Sequence, residues 1–294
     1  MNLEFLNILV NRIWLGHIIS VLEGGYPISP RKDKTKEILN ASFVVDMNKP
    51  IITIPYRKLS YTFMVAEAYW ILSGDNRTES IVPYNQNMAQ FSDDGTEFFG
   101  AYGPQIAKQY SYIVKTLTRD RESRQAVLTT WRQDPPMSKD IPCTVSDQWL
   151  IRDGYLHLIH NMRSSDVWLG VPYDVFNFSM LSAMICLDLR QDYPELQLGS
   201  IFFNAGSSHL YDKNMPAIEG MLVDLDERPK ELEYNALDLD EFDNKTQFLK
   251  HLELCKDKRF SETKHNWLME MAEWTRPKKA LPVGAPNWQP RSGQ

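Results

Sequence analysis

The sequence predicts an α+β fold, and two observations carry that prediction. An Asp153-Gly154 step joins two alternating runs, residues 148–151 and 155–162, which is a strong signature of a β-hairpin. Elsewhere the apolar patterning reads as helix over residues 3–22, 61–72, 110–118, 176–189 and 245–256. With 43% apolar and 12% aromatic residues, the 294-residue chain can fill a sizeable core. It shows no internal repeat and no domain linker, so residues 1–294 are expected to form one domain.

Taken in order, residues 3–22 form an apolar stretch that Glu4, Arg12 and His17 interrupt, and it stops at Gly24-Gly25. This is an amphipathic helix rather than a signal peptide. A polar loop over 28–37 precedes a strand at 41–45. The helix at 61–72 closes at Ser73-Gly74 and carries Glu67 inside its apolar face. A buried carboxylate is costly without a partner, so Glu67 is either paired or functional. Residues 85–103 are polar and aromatic, with a turn at Asp93-Asp94-Gly95. After the helix at 110–118, a charged loop over 120–125 leads to a strand at 126–131. The proline-rich loop 133–142 then delivers Cys143 to the hairpin.

The return strand of the hairpin ends in a polar turn, Arg163-Ser164-Ser165-Asp166. A fixed cation, two hydroxyls and a carboxylate make an anion clamp. Leu169-Gly170-Val171-Pro172-Tyr173-Asp174 is a tight turn ending on an acid. Cys186 lies in the helix at 176–189 and reads as packing. A short strand at 199–204 precedes a Gly206-Ser207-Ser208 turn, after which His209 and Tyr211, two apart, share one face of an extended segment. Residues 222–243 are acidic and read as surface loop. Residues 276–294, with four prolines, read as a mobile tail.

The formal net charge of −6 argues against a nucleic-acid polymer or an anionic membrane as partner, since both select basic surfaces. No run is long enough to span a bilayer. Cys143, Cys186 and Cys255 have no metal spacing and form no even disulfide set, which fits a reducing cytoplasm and no metal centre.

The order Pro142-Cys143, strand, Arg163-Ser164-x-Asp166, Leu169-Gly170-x-Pro172-Tyr173, then Gly206-Ser207-Ser208-His209-Leu210-Tyr211 resembles the thymidylate synthase family. The resemblance extends to Arg31, to the run from Glu67 to Gly74, to Gly100-Ala101-Tyr102-Gly103 and to Glu122-Ser123-Arg124. It is clearest over residues 25–215. It implies a large mixed sheet flanked by helices, a homodimer joined through the sheet face, and 5,10-methylenetetrahydrofolate as co-substrate beside a nucleotide. Carried over residue by residue, it makes Cys143 the nucleophile, Glu67 the general acid–base group and Tyr102 an active-site tyrosine. Arg31, Arg163 and Ser164 would bind the 5′-phosphate, with Arg124 reaching across from the partner subunit. Gln125 stands where the family has a second arginine. His209 and Tyr211 would bind the sugar 3′-hydroxyl, and Asp166 and Gly170 the folate.

Two departures bear on the substrate. Asp174 stands where thymidylate synthases carry the asparagine that reads uracil, and Thr144 where they carry histidine. Both are similar to the deoxycytidylate hydroxymethylase branch of bacteriophages. A carboxylate accepts from the cytosine N4 amino group, and a proton shared with N3 completes the pair. The alternative is that Asn177 reads the base.

The chemistry implied is addition of a Cys143 thiolate to C6 of the pyrimidine, with nearby arginines lowering the thiol pKa. Water or hydride then meets an exocyclic methylene at C5. Between Gly74 and Tyr102 there is no tryptophan, and Asn85, Gln86, Asn87, Gln90 and Ser92 make a polar wall that would admit water. Alternatively, Trp149 or Trp168 fills the gap and favours hydride. The expected activity is dCMP hydroxymethylation. Its rivals are a dCMP methyltransferase, a ribo-CMP hydroxymethylase, a dUMP hydroxymethylase and an idle nucleotide-binding protein.

Overall fold

The computed structural model describes residues 9–227, 233–265 and 267–268. Six strands, β1 (Tyr26–Ile28), β2 (Thr35–Asp46), β3 (Val127–Thr129), β4 (Thr144–Arg152), β5 (Tyr155–Asp166) and β6 (Gln197–Tyr211), form one mixed sheet. Their order is β1-β2-β6-β5-β4-β3. Only β5 and β6 run parallel; the other neighbours are antiparallel. A parallel pair needs a crossover, and α5 (Val171–Leu189) supplies it. The β4–β5 hairpin turns at Asp153 (φ 50°) and Gly154 (φ 83°). Two successive left-handed residues make the turn whose twist matches the strands, which is why Asp-Gly stands there.

Alternation decides which sheet face is covered. Asp147, Trp149 and Ile151 of β4, Leu156, Leu158, His160 and Met162 of β5, and Ile201, Phe203 and Ala205 of β6 are all buried. α5 lies against this face and is itself buried almost all round. Among these residues His160 Nδ1 and Asp147 Oδ1 form a fully buried pair at 2.6 Å, with the imidazole against the Phe178 ring. α1 (Leu9–Gly24) closes the β2–β6 side: Trp14 Nε1 donates to the Val167 carbonyl at 2.7 Å, and His17 Nε2 meets Ser208 Oγ at 2.7 Å. α2 (Tyr61–Leu72), capped by Ser60, packs between α5 and α7 (Lys245–Lys256), which Asn244 caps. The short α3 (Thr78–Ile81), α4 (Gly103–Arg119) and α6 (Met215–Glu227) complete the helices among the described residues. None is long and apolar enough to cross a membrane. Among the described residues the opposite sheet face lacks such a cover. Val44 and Phe202, paired in register, stay 45% and 41% exposed.

The helices at 61–72 and 245–256 form as expected, and several other boundaries are corrected. β2 begins at Thr35, so the strand takes in Thr35-Lys36-Glu37 from the end of the expected loop, while residues 31–34 lie outside it. β5 continues to Asp166, so Arg163–Asp166 lie on a strand and not in a turn. β6 includes Gly206-Ser207-Ser208, which is no turn. In each case ladder pairing with a neighbouring strand carries the backbone through polar residues that lack an apolar rhythm. α4 and α5 start earlier than expected, at Gly103 and Val171, each with proline in its first turn, where the missing N–H costs nothing. Residues 215–227 are helical, and Tyr234, Leu237, Leu239 and Phe242 are buried, so the described parts of 222–243 are not a solvated loop. The tail at 276–294 and the start of the first helix lie outside the described residues.

Candidate active site

The parallel pair sets the site, because β5 and β6 end side by side: Asp166 pairs with His209, and His209 pairs with Glu37 of β2. At the same edge β4 begins, and Cys143 is the residue before it. The Arg163 N–H donates to the Cys143 carbonyl at 2.8 Å. The Arg163 side chain reaches back, Nε to the Pro142 carbonyl and Nη2 to the Ile141 carbonyl, both at 2.9 Å. The proline-rich loop is thereby tied to β5. Arg163 Nη2 stands 3.7 Å from Cys143 Sγ, and Ser164 Oγ stands 3.8 Å from it.

These contacts do not yield a ready thiolate. Burial pushes the Cys143 pKa up, and Arg163 and Ser164 only pull part of it back, while Asp174 and Asp140 push it further up. Arg163 lowers it, as expected, but the net shift is upward, because desolvation outweighs one guanidinium already engaged by two carbonyls.

Opposite the thiol, Glu67 of α2 accepts a hydrogen bond from Asn177 Nδ2 at 2.8 Å. Burial raises its pKa to about 7, and the Asn177 bond works against the rise. Asp174 sits in the first turn of α5, one helical step from Asn177, so both residues offered as base readers share a face. Burial, then Glu67, then Asp166 push the Asp174 pKa far up. Its protonated form is thereby favoured. Asn177 gives one of its two amide N–H groups to Glu67, and its Oδ1 has no partner among the described residues. Tyr102 precedes α4; its hydroxyl accepts the Thr144 N–H at 3.4 Å and its ring packs on Phe178.

A cleft of about 140 Å³ joins these groups: Glu67, Tyr102, Cys143, Asp174 and Asn177 line it together. Trp70, Met88, Phe98 and Asp140 line it too, and the sequence reading missed all four. Trp70 follows Glu67 by three residues on a helix, so its position on the same face was available from spacing alone. The expected polar wall is corrected. Met88 and Phe98 are what the segment turns to the cleft, while Asn85, Gln86, Asn87, Gln90 and Ser92 are not among its lining. Neither proposed tryptophan fills the gap. Trp149 is buried with Nε1 donating to Ser182 Oγ at 3.0 Å, and Trp168 stacks on Trp14 beneath the Arg57 guanidinium.

A second group gathers at the strand ends. His209 and Tyr211 share a face, with rings 5.2 Å apart. Burial lowers the His209 pKa; Asp166 and Glu37 raise it, and Arg31 and Arg163 lower it. Arg31 also bonds the Tyr211 side chain. Two cations thus bear on one imidazole. Arg31 (φ 53°) and Lys32 (φ 73°) are left-handed, a costly backbone for residues with a Cβ.

Asp166 and Gly170 have local work. Asp166 Oδ1 accepts the N–H groups of Trp168 and Leu169, both at 2.8 Å, and its Oδ2 is buried without a partner. A Cβ on Gly170 would meet the Asp166 carbonyl and Asp174 Oδ2, each at 3.1 Å. Neither residue lines the cleft. Arg124 stands apart, exposed on the loop before β3, where its carbonyl accepts from Gln148 at 2.8 Å. Cys186 is buried with its thiol on the Leu196 carbonyl, as expected of packing. Among the described residues no cluster of three His, Cys, Asp or Glu side chains could hold a metal ion.

Comparison with known proteins finds several relatives. The deoxyuridylate hydroxymethyltransferase of Bacillus phage SP01 is 25% identical over 251 residues, covering 74% of this chain and 63% of that protein. The thymidylate synthase of Bacillus mojavensis is 28% identical over 180 residues, covering 56% of this chain and 62% of its own length. That of Bacillus phage phi3T is 27% identical over 180 residues, with the same coverage. The chain therefore spans somewhat less than two thirds of each of these relatives. The thymidylate synthase family profile matches residues 12–257. The fold, the cleft and this match together place the chain in the thymidylate synthase family.

Proposed function

We propose that the protein transfers a one-carbon unit to C5 of a pyrimidine deoxynucleotide, converting dCMP to 5-hydroxymethyl-dCMP. The observation that carries the reading is Asp174, a buried carboxyl group whose protonated form is favoured, lining one cleft with Glu67 and Cys143. Cytosine N3 is a base that can share the carboxyl proton, giving a charge-assisted bond, while the second oxygen accepts from N4. The uracil O4 is a far weaker base, so the same proton binds it less well. A second reading, dUMP hydroxymethylation, has its own support. A protonated acid can also donate to O4 and accept from N3–H, and the phage SP01 relative is named for deoxyuridylate.

In this mechanism Arg31, Arg163 and Ser164 hold the 5′-phosphate, and His209 and Tyr211 hold the 3′-hydroxyl. Cys143 adds to C6, which makes C5 enamine-like. 5,10-Methylenetetrahydrofolate, when bound, supplies the one-carbon unit that C5 attacks. Trp70, Met88 and Phe98 offer an apolar wall that fits a flat heterocycle. Glu67, with a pKa of about 7, is poised to take and return protons at neutral pH. The uncovered sheet face and the placement of Arg124 away from its own cleft support a homodimer in which Arg124 serves the partner's phosphate site. Three free cysteines fit work in a reducing cytoplasm.

Incubation with methylenetetrahydrofolate and each of dCMP, CMP and dUMP, with products read by mass, tests the reading. A 5-hydroxymethyl product from dCMP is expected. Turnover of dUMP alone establishes the second reading, and dihydrofolate released one-for-one with a methylated product shows a methyltransferase.

A further inference from the structure

The cleft contains a carboxylate that the mechanism above leaves without a role. Asp140 lies on the loop that ends at Cys143 and lines the same cleft. Its Oδ2 accepts the Gly100 N–H at 2.7 Å, and Oδ1 takes no hydrogen bond from the described residues. A Cβ on Gly100 would meet Asp140 Cγ and Oδ1, each at 2.9 Å, so the carboxyl group has no freedom on that side.

Two acids bear on the thiol: Asp174 and Asp140 both disfavour the Cys143 thiolate. Asp174, Asn177 and Glu67 come from the helices α5 and α2. Asp140 comes from the loop that ends at Cys143 and is held against Gly100 in the same cleft. Glu67 is already held by Asn177. Burial makes Asp140 a stronger base than an ordinary carboxylate, while Gly100 and Arg132 temper the effect.

We propose that Asp140 is the general base for the water that adds to the exocyclic methylene carbon. This rests on the hydroxymethylation reading above. The water oxygen bonds to that carbon, its proton passes to the Asp140 carboxylate, and the methylene π pair moves onto C5. That pair re-forms the C5–C6 double bond as Cys143 leaves C6 with the S–C pair. Asp140 then returns the proton to the Cys143 thiolate, which restores both groups.

Asp140→Asn keeps an acceptor for Gly100 and removes the base. With a nucleotide tritiated at C5, the variant should release tritium in a single burst at the wild-type rate. Hydroxymethyl product should then form about 100-fold more slowly, and a Cys143-linked adduct carrying the methylene carbon should accumulate in denaturing mass spectra. The burst itself reports a folded enzyme, and Asp140→Glu should recover part of the product rate. In the free protein, alkylation of Cys143 should shift to lower pH in Asp140→Asn, because one of the two acids opposing Arg163 at the thiol is gone. Unchanged product formation overturns the proposal. So does an unmoved alkylation profile, or loss of the burst in step with product, which would mark a merely structural or folate-holding residue. Wild type that releases no tritium from dCMP or dUMP overturns the hydroxymethylation reading itself.

Discussion

Burial holds the Cys143 thiol protonated although Arg163 Nη2 lies 3.7 Å from Sγ. In the proposed mechanism the thiolate is therefore released on ligand binding and not by its resting surroundings. Cys143→Ala should abolish turnover and leave nucleotide affinity within about threefold, since the side chains proposed to hold the phosphate, at about 1.5–3 kcal/mol per contact, are all retained; calorimetry and a turnover assay check this. Asp174→Asn should move preference towards dUMP by at least about tenfold in kcat/KM, because an amide cannot share a proton with cytosine N3. Competition between dCMP and dUMP reads the ratio. For Glu67 the sign follows from its raised pKa. Below about pH 4.5 both folded and unfolded states hold the proton. Between there and about pH 7 only the unfolded state ionises freely, so stability falls as pH rises. Glu67→Gln, which still accepts from Asn177, should therefore gain stability over wild type across that window, by on the order of 3 kcal/mol above pH 7. Melting curves of the two proteins from pH 4.5 to 8 test it. Glu67 itself was legible in the sequence as an acid on an apolar face. Its partner Asn177 was not recognised, because the contact joins α2 to α5.

At the scale of elements, the junction between β5 and α5 decides where the acids point. Asp166 holds the turn through two N–H groups, and Gly170 leaves just enough space between Asp166 and Asp174. Gly170→Ala should crowd Asp174 by a few tenths of an ångström and lower kcat/KM for the nucleotide about tenfold without unfolding the protein, since misplacement of about 1 Å can cost 100-fold. Steady-state kinetics beside a circular dichroism spectrum separate these effects. The motif from Leu169 to Asp174 was visible in the sequence, but its conformation was misread as a turn alone. Proline at the start of a helix and proline in a turn leave the same local signal, and packing of α5 on the sheet selects the helix.

For the whole molecule, the sheet has one face under α5 and one face bearing Val44 and Phe202 without a helix over them. If a second copy covers that face, sedimentation should show a dimer, and Phe202→Lys should yield inactive monomer. Mixing inactive Cys143→Ala and Arg124→Ala subunits should restore about a quarter of wild-type activity, because each heterodimer then owns one complete site. The sequence by itself determined the α+β class, the hairpin at Asp153-Gly154, the helices at 61–72 and 245–256, and the membership carried by Cys143, Arg163–Asp166 and His209–Tyr211. These are set by local periodicity, turn chemistry and residue order along one strand or helix. Only the tertiary structure decided that burial raises the Cys143 and Asp174 pKa values, that Met88 and Phe98 rather than the polar side chains line the cleft, and that Asp140 lines the same cleft as Asp174. Desolvation and the meeting of groups from separate elements arise only when the chain is packed, and no spacing along the sequence encodes them.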